Sequence, residues 1–219
     1  MAVIHHTTIT PTKLELLAAW LPSRPWYHGP AEPVLTDAGG FRLDDPQGAV
    51  GIEFKIVTET SGEPERTYLV PMTYRGERLE GADHALVGTT EHGVLGKRWV
   101  YDALGDPVAV AELIALLAGR VQAQMQSVSD EVDRRVQATW TGPGLPDVVE
   151  SFTTSDDPDG TQVTVRLGDA SDTPCQLVIR LVRALAAGEA PAADGHIIAD
   201  WLLSDGTSAR GCIAWARHR

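Results

Sequence analysis

Turn-forming residues interrupt this chain so often that most of its apolar segments are too short to be typical helices. Asp44–Gly48 and Ser61–Pro64 separate such segments in the first half, and Asp157–Gly160 and Ser204–Thr207 separate them in the second. Short runs rich in β-branched and aromatic residues, bounded by turn signals, are typical of β-strands, and Asp-Gly pairs favour tight hairpins. The sequence therefore predicts mainly antiparallel β structure.

The predicted strands fall into two groups along the chain. Residues 2–9 predict a first strand, and the other strands of the first group are predicted at Gly40–Leu43, Val50–Glu59, Thr67–Tyr74, Ala85–Thr90 and Lys97–Tyr101. Those of the second group are predicted at Val136–Trp140, Val149–Thr153, Thr161–Leu167, Cys175–Leu185, His196–Leu203 and Ala209–Trp215. We expect the first group to form an antiparallel, curved sheet.

Two segments of the first half predict helices. Thr12 and Glu15 have the spacing of a capping box, in which each side chain binds a free backbone N–H at the helix start, and Pro22 ends this segment. Asp106 and Pro107 are typical of the first positions of a second helix. The apolar residues on one face of that helix are Val110, Leu113, Ile114 and Leu117. The predicted fold class is α+β, with these helices packed on the sheet.

A polar stretch, Gln122–Asp133, divides the two groups and predicts either an exposed helix or a connection. We therefore expect one subdomain over residues 1–125 and a second, mostly β subdomain over residues 126–219.

The charge balance excludes two classes of partner. Eighteen Lys and Arg stand against thirty Asp and Glu, which gives a net charge of −12, and no stretch gathers the basic residues. We therefore expect no nucleic acid and no membrane as partners. The N-terminus lacks the basic start and apolar core of a signal peptide, and Cys175 and Cys212 lie in apolar runs, as is typical of a reducing compartment. These features predict a cytoplasmic protein.

The short motifs of common enzymes and cofactor sites are missing. The sequence contains no GxSxG, GxGxxG, HExxH or Walker-type loop, so we predict no cofactor. His5 and His6 are adjacent in a predicted strand and would point to opposite faces, so no metal site is predicted there.

A mixed set of polar side chains surrounds the predicted hairpin after residue 84. It comprises Tyr74, Arg75, Arg78, His84, Glu91, His92, Lys97, Arg98 and Asp102. Such a mixture of imidazole, carboxylate and guanidinium groups can hold a polar ligand or act as general acid and base if it converges in a pocket. The alternative is an exposed, salt-bridged hairpin.

Two further candidates lie outside this set, an aromatic pair and a single glutamate. Trp26 and Tyr27 could provide a stacking platform for a sugar, or could pack at the edge of a core. Glu53 lies in an apolar run; if it is buried, it needs a cationic partner such as Arg42 or Arg75.

Two stretches carry a family resemblance. Leu16–Gly29 (LLAAWLPSRPWYHG) resembles the opening helix and aromatic pair of the N-terminal cap of maltokinases and related aminosugar kinases of actinobacteria. Ala85–Leu117, in which LVGT leads through WVYDA into the Asp106-Pro107 helix, resembles a later part of the same cap. With the strands between them, the resemblance covers roughly the first 120 residues and implies a cap-like subdomain.

The second half is more weakly similar to the kinase N-lobe. Gln176–Arg183 resembles the strand that carries the nucleotide-pairing lysine, but arginine stands at the comparable places. Arginine and lysine do not coordinate phosphates interchangeably. Phosphoryl transfer also needs a catalytic-loop carboxylate and metal-binding side chains, for which we expect no room in this chain. The resemblance thus implies a stand-alone cap that is not an enzyme.

The leading functional hypothesis is a non-catalytic, cap-like protein that acts by binding, with an accessory or regulatory role in α-glucan, trehalose or aminosugar metabolism. Its partner would be another protein or a small polar ligand such as a sugar. The alternatives are an enzyme or small-ligand binder that uses the His84–Asp102 cluster, and one half of a split sugar kinase.

Overall fold

The structure, a computed structural model, describes residues 9–126, 128, 131–168 and 175–219. The elements of its first part are β1 (Ile9–Thr10), α1 (Lys13–Trp20), β2 (Leu35–Asp44), β3 (Gly51–Glu59), β4 (Arg66–Arg75), β5 (Leu86–His92), β6 (Gly96–Asp102), α2 (Pro107–Leu117) and β7 (Gln124–Met125). Those of its second part are β8 (Gln137–Trp140), β9 (Val148–Asp157), β10 (Gly160–Gly168), β11 (Cys175–Leu181), β12 (Ala184–Leu185), β13 (Gly195–Leu202) and β14 (Ser208–His218).

The strands form two antiparallel sheets. The first sheet has the order β1-β5-β6-β4-β3-β2-β7, and β12 joins it beside β4. The second sheet has the order β8-β13-β14-β11-β10-β9. The predicted α+β class with a curved antiparallel sheet is confirmed in this coarse form, although β structure dominates the described residues. The likeness of the second half to a kinase N-lobe stays a prediction.

The predicted strands over residues 2–9 and Cys175–Leu185 correspond only in part to described strands. Of the predicted strand over residues 2–9, the described part contains only Ile9, where β1 begins; His5 and His6 lie outside the described residues. The prediction of one strand over Cys175–Leu185 is wrong, because β11 ends at Leu181 and β12 pairs with β4 of the other sheet. The chain crosses between the sheets at Arg183, whose side chain is fully buried and binds Asp102 of β6.

Helix α1 begins as its sequence predicts. The Thr12 hydroxyl accepts a hydrogen bond from the Glu15 backbone N–H at 3.3 Å, and the Glu15 carboxylate accepts one from the Thr12 N–H at 2.7 Å. The helix continues into a short 3-10 turn, Leu21–Ser23, that contains Pro22. A capping box of this kind satisfies two backbone donors that the helix itself cannot.

One face of the first sheet packs against α1 and the aromatic residues that follow it. Alternation along β4 sends Tyr68, Val70 and Met72 to this face, where they meet Leu17 and Trp26. This face therefore has its own apolar core, closed by the N-terminal helix.

The other face of the first sheet contributes to a core that both halves of the chain share. Phe41 and Phe54 of the first sheet, Leu113 of α2, and Val165 and Ile179 of the second sheet belong to one continuous buried cluster. Helix α2 thus packs between sheet elements from both halves. The boundary near residue 125 stays a prediction, while the buried cluster itself extends across it.

The polar stretch after α2 acts as a connection. Gln124 and Met125 pair with Arg42 and Phe41 as strand β7, and the described residues between 122 and 133 contain no helix. Of the two predicted alternatives for this stretch, the structure therefore shows the connection.

Candidate functional site

The structure distributes the predicted site residues over several places. Glu91, His92 and Arg98 lie on the β5–β6 hairpin. Tyr74 lies with Glu53, Asp102 and Trp26 lie with Arg183, and Tyr27 lies in the aromatic core; Arg75, Arg78 and His84 lie near the start of α2.

The hairpin side chains mostly stabilise their own turn. The His92 Nδ1 atom accepts hydrogen bonds from the backbone N–H groups of Val94 and Leu95, at 3.3 Å and 3.1 Å. The Arg98 guanidinium donates to the Leu95 carbonyl at 2.9 Å. Glu91 is exposed and faces Thr10 in the sheet register. The hairpin is thus built as a self-supported turn.

Tyr74 belongs to a buried polar cluster around Glu53. Glu53 is 3% exposed; its carboxylate forms a salt bridge with Lys13 of α1 at 2.7 Å and accepts a hydrogen bond from the Tyr74 hydroxyl at 2.7 Å. Gln126 donates to the same carboxylate. The expectation that Arg42 or Arg75 would be the partner is wrong, because α1 packs on this face of the sheet and brings Lys13 to the site.

Charge and hydrogen bonding decide the ionisation of Glu53. Burial raises the pKa of its carboxyl group, but the attraction of Lys13, a hydrogen bond from Lys13 and the further attraction of Lys55 outweigh burial and hold the pKa below its ordinary value. Burial and the neighbouring Glu53 charge raise the pKa of Tyr74 well above its ordinary value. Tyr74 therefore stays a neutral hydrogen-bond donor.

Asp102 and Trp26 meet at a buried arginine, Arg183, which ends the stretch Gln176–Arg183 that resembles a strand of the kinase N-lobe. The Arg183 Nη2 atom lies 2.5 Å from Asp102 Oδ2, and its Nε donates to the Thr161 hydroxyl at 2.8 Å. The guanidinium carbon lies 4.7 Å from the centre of the Trp26 ring. Burial raises the pKa of Asp102, and the Arg183 charge opposes that rise. This centre joins β6, the sheet crossing and β10.

Tyr27 packs against Tyr68 with ring centres 5.1 Å apart and donates a hydrogen bond to the Pro30 carbonyl at 3.1 Å. Burial, together with the charge of Glu59, raises the pKa of Tyr27 to about 12. Both Trp26 and Tyr27 are buried. Their role as a sugar platform stays a prediction, and in the structure they fill the core.

The start of α2 collects the remaining predicted residues. Arg75 makes two hydrogen bonds of 2.6 Å to the Asp106 carboxylate, which is fully buried and also accepts from the Val108 N–H as the helix cap. Hydrogen bonds to Asp106 raise the pKa of Arg75. Arg78 forms an exposed pair with Asp83 at 2.8 Å. His84 lines a pocket of about 390 Å³ beside the start of α2.

A larger concavity lies on the other side of the helix start, between α2, the β2–β3 turn and strand β9. We call it the α2–β9 groove; it measures about 550 Å³. Its lining residues are Asp45, Pro46, Gln47, Pro107, Val108, Ala111, Glu112, Val149, Glu150, Ser151 and Phe152. The His84 pocket shares Pro107 and Phe152 with the groove, so the two concavities adjoin. Volumes of this size are typical of small-molecule sites.

Local sequence fixes the walls of the groove. Asp45 is buried and accepts hydrogen bonds from the backbone N–H groups of Gln47, Ala49 and Val50, at 2.8–2.9 Å, which holds the β2–β3 turn. Strand β9 is an edge strand of the second sheet, paired only with β10 among the described strands. Its other edge is therefore available to form a wall opposite α2.

Glu112 is the exceptional residue of the groove. Its side chain is 8% exposed, and its Oε2 atom is buried without a hydrogen-bond partner among the described residues. Burial raises the pKa of Glu112, the charges of Asp45 and Asp44 raise it further, and Arg120 opposes the rise. The Arg120 guanidinium itself binds the Leu145 carbonyl at 2.9 Å and Asp147 at 3.1 Å.

Sequence reasoning missed Glu112, although a signal was present. Glu112 is the single charged residue within the apolar helix sequence PVAVAELIALL. An isolated carboxylate in such a helix is either exposed or needs a partner, and buried carboxylates without a partner are unusual. The arrangement offers a hydrogen-bond acceptor of adjustable charge in an otherwise largely apolar groove.

Two general features bear on the class of site. None of the helices that the structure describes is long and apolar enough to cross a membrane. Within the described residues, no group of three His, Cys, Asp or Glu side chains is arranged to hold a metal ion.

Comparison with known proteins supports the resemblance seen in the sequence. Residues 20–106 match the family model of the maltokinase N-terminal cap domain. That range extends from the end of α1 through the strands of the first sheet to the cap of α2. No curated protein matches the chain. Over residues 20–106, the chain is therefore similar to the maltokinase N-terminal cap domain.

Proposed function

We propose that this protein acts by binding a ligand in the α2–β9 groove, without catalysing a reaction itself. The observation that supports this most is Glu112, a buried acceptor without a hydrogen-bond partner in the described part of the chain, in a groove of about 550 Å³. The other carboxylates of the walls, those of Asp45 and Glu150, are already bound to backbone N–H groups and to Arg166, respectively. Glu112 is thus the group best placed to contact a ligand.

The non-catalytic assignment is supported by how the predicted polar cluster is used. Arg75 is bound to Asp106, Asp102 is bound to Arg183, and Tyr74 is bound to Glu53. A general acid or base must reach the atom whose proton it moves, and groups held in buried pairs cannot do so without breaking them.

The cap domain suggests the biological setting. We propose an accessory or regulatory role in α-glucan, trehalose or aminosugar metabolism, because the matched domain is named for maltokinases. A ligand that prefers the folded form raises the apparent stability of the protein. A thermal-unfolding screen of the pure chain against sugars, sugar phosphates and nucleotides therefore tests the proposal.

The matched control is Ala111→Trp, which fills the groove from α2. We expect a ligand that raises the Tm of the wild type to have no effect on this variant. Incubation with ATP and maltose or glucosamine is the second test. Turnover by the pure chain, or a ligand effect that survives Ala111→Trp, would contradict the proposal.

A further inference from the structure

The groove contains an electrostatic imbalance that a ligand of one charge would correct. Besides Glu112, the carboxylates near it are Asp44, Asp45 and Glu150, and the nearby cations are Arg120 and Arg166. Each of those two arginines is engaged with an acidic partner, Asp147 or Glu150. The local excess of charge is therefore negative.

Among the acids that line the groove, Glu112 is distinguished by burial together with the lack of a hydrogen-bond donor. Glu150 is exposed and its salt bridge with Arg166 measures 2.9 Å, whereas Asp45 is satisfied by backbone donors. Glu112 has one oxygen enclosed without a donor among the described residues; Asp44 also has such an oxygen, but it does not line the groove. A buried carboxylate that lacks a donor is stabilised most by a cation that also donates hydrogen bonds.

Apolar groups beside Glu112 restrict the rest of the ligand. Val108 and Ala111 lie on the same side of α2, and Val149 and Phe152 face them from β9. These side chains suit an alkyl or aromatic group, and an aromatic ring such as that of Phe152 can also attract a cation. A strongly hydrated metal ion would gain little from such walls, since hard cations prefer several oxygen ligands.

From this arrangement we infer that the α2–β9 groove binds an organic cation, with a primary ammonium or guanidinium group on Glu112 and an apolar group between α2 and β9. The inference deepens the proposed function and rests on it, because it names the ligand class of the same groove. The cation can belong to a small molecule or to a Lys or Arg side chain of a partner protein.

Calorimetric titration with matched probes tests the charge requirement. We expect benzylammonium and butylguanidinium to bind, and benzyl alcohol, which has a similar shape without the charge, to bind at least about tenfold more weakly. Nα-acetyl-lysine amide, which keeps the side-chain ammonium, represents a lysine of a partner protein. Tighter binding of this probe than of benzylammonium would favour a protein source of the cation, and the reverse order would favour a small amine.

Variants then locate the contact. Glu112→Gln keeps the shape of the side chain and should weaken benzylammonium binding at least about tenfold while leaving benzyl alcohol unchanged. Glu189→Gln removes an exposed carboxylate outside the groove and should change the affinity by no more than about twofold. Ala111→Trp should abolish binding of all the probes, and circular dichroism checks that each variant is folded.

Different failures have different meanings. Equal binding of benzyl alcohol and benzylammonium, or full affinity in Glu112→Gln, would overturn the inference. If the cations do not bind but a neutral sugar raises the Tm of the wild type and not of Ala111→Trp, the inference fails while the proposed function stands. If the groove binds none of the probes or screened compounds, both fail.

Discussion

Replacing Arg183 with methionine should remove a large part of the stability of the protein. Arg183 is fully buried, and Asp102, its partner, is 7% exposed. Methionine retains much of the apolar stem but leaves the Asp102 carboxylate in the core without its cation. Removing one partner of a buried ion pair typically costs about 3–5 kcal/mol, against a total of about 5–15 kcal/mol for a typical domain.

Urea unfolding followed by tryptophan fluorescence and circular dichroism measures the loss. Trp26 stacks on the arginine, so its emission should also change in the folded state. The matched control is Arg180→Met on the neighbouring strand, where the partner Asp157 is 48% exposed. Water can solvate that carboxylate once it is left alone, so the loss should be clearly smaller.

A second substitution distinguishes the lost pair from lost packing. Adding Asp102→Asn to Arg183→Met removes the stranded charge but keeps an oxygen that can accept from the Leu104 N–H. We expect this double variant to recover a large share of the stability. A loss below about 1 kcal/mol for Arg183→Met, or no recovery in the double variant, would refute the assignment of a buried ion pair.

Three further predictions concern other buried charges. Glu112→Gln should raise the stability of the ligand-free protein at neutral pH by about 1 kcal/mol. Because the folded-state pKa of Glu112 is raised, this gain should shrink as the pH falls toward the ordinary value of 4.5, which Tm measured against pH will show. Asp106→Ala should cost about 2–4 kcal/mol through the lost helix cap and Arg75 pair, and Asp106→Asn about 1 kcal/mol less, as measured by urea unfolding. Glu53→Gln should cost about 1–3 kcal/mol at neutral pH; because the folded-state pKa of Glu53 is lowered, the wild type should lose this advantage as the pH falls below 4.5, and a pH-independent difference would contradict the ionised pair.

Helix starts could be predicted from the sequence because their determinants are local. The capping box of Thr12 and Glu15 and the Asp106-Pro107 start of α2 both appear in the structure with the expected hydrogen bonds. The hairpin strands β3 and β4 were also predicted within one residue at each end. In each case a side chain acts on backbone groups a few residues away, so sequence spacing is sufficient.

The partners of the buried charged side chains could not be predicted, because they depend on how helices and strands pack against each other in the folded protein. Glu53 pairs with Lys13, 40 positions earlier, after α1 has packed on the first sheet. Arg183 pairs with Asp102, 81 positions earlier, at the crossing between sheets. Arg183 lies inside the predicted strand Cys175–Leu185, because that run of residues carries no signal for a change of sheet.

The candidate site illustrates the same limit. The polar residues that sequence reasoning grouped around the hairpin are close in sequence, but strand alternation and turns divide them among separate contacts. The role of Glu112 could not be predicted, because it lies within an apolar helix sequence that offers its carboxylate no nearby partner. Only the approach of β9 and the β2–β3 turn makes that position the wall of a groove.

The buried charges at the start of α2 explain why the groove persists with one unsatisfied carboxylate. Asp102 accepts from the Leu104 N–H at 3.1 Å, and the Leu104 carbonyl accepts from the Thr154 hydroxyl of β9 at 2.9 Å. Asp106, held by Arg75, fixes the first turn of the helix. These contacts hold both walls of the groove independently of Glu112, so the carboxylate is not needed to position them. Burial of the Glu112 carboxylate lowers the stability of the ligand-free protein. A bound cation would offset this cost, and a neutral ligand would not, which would make the groove selective for positively charged ligands.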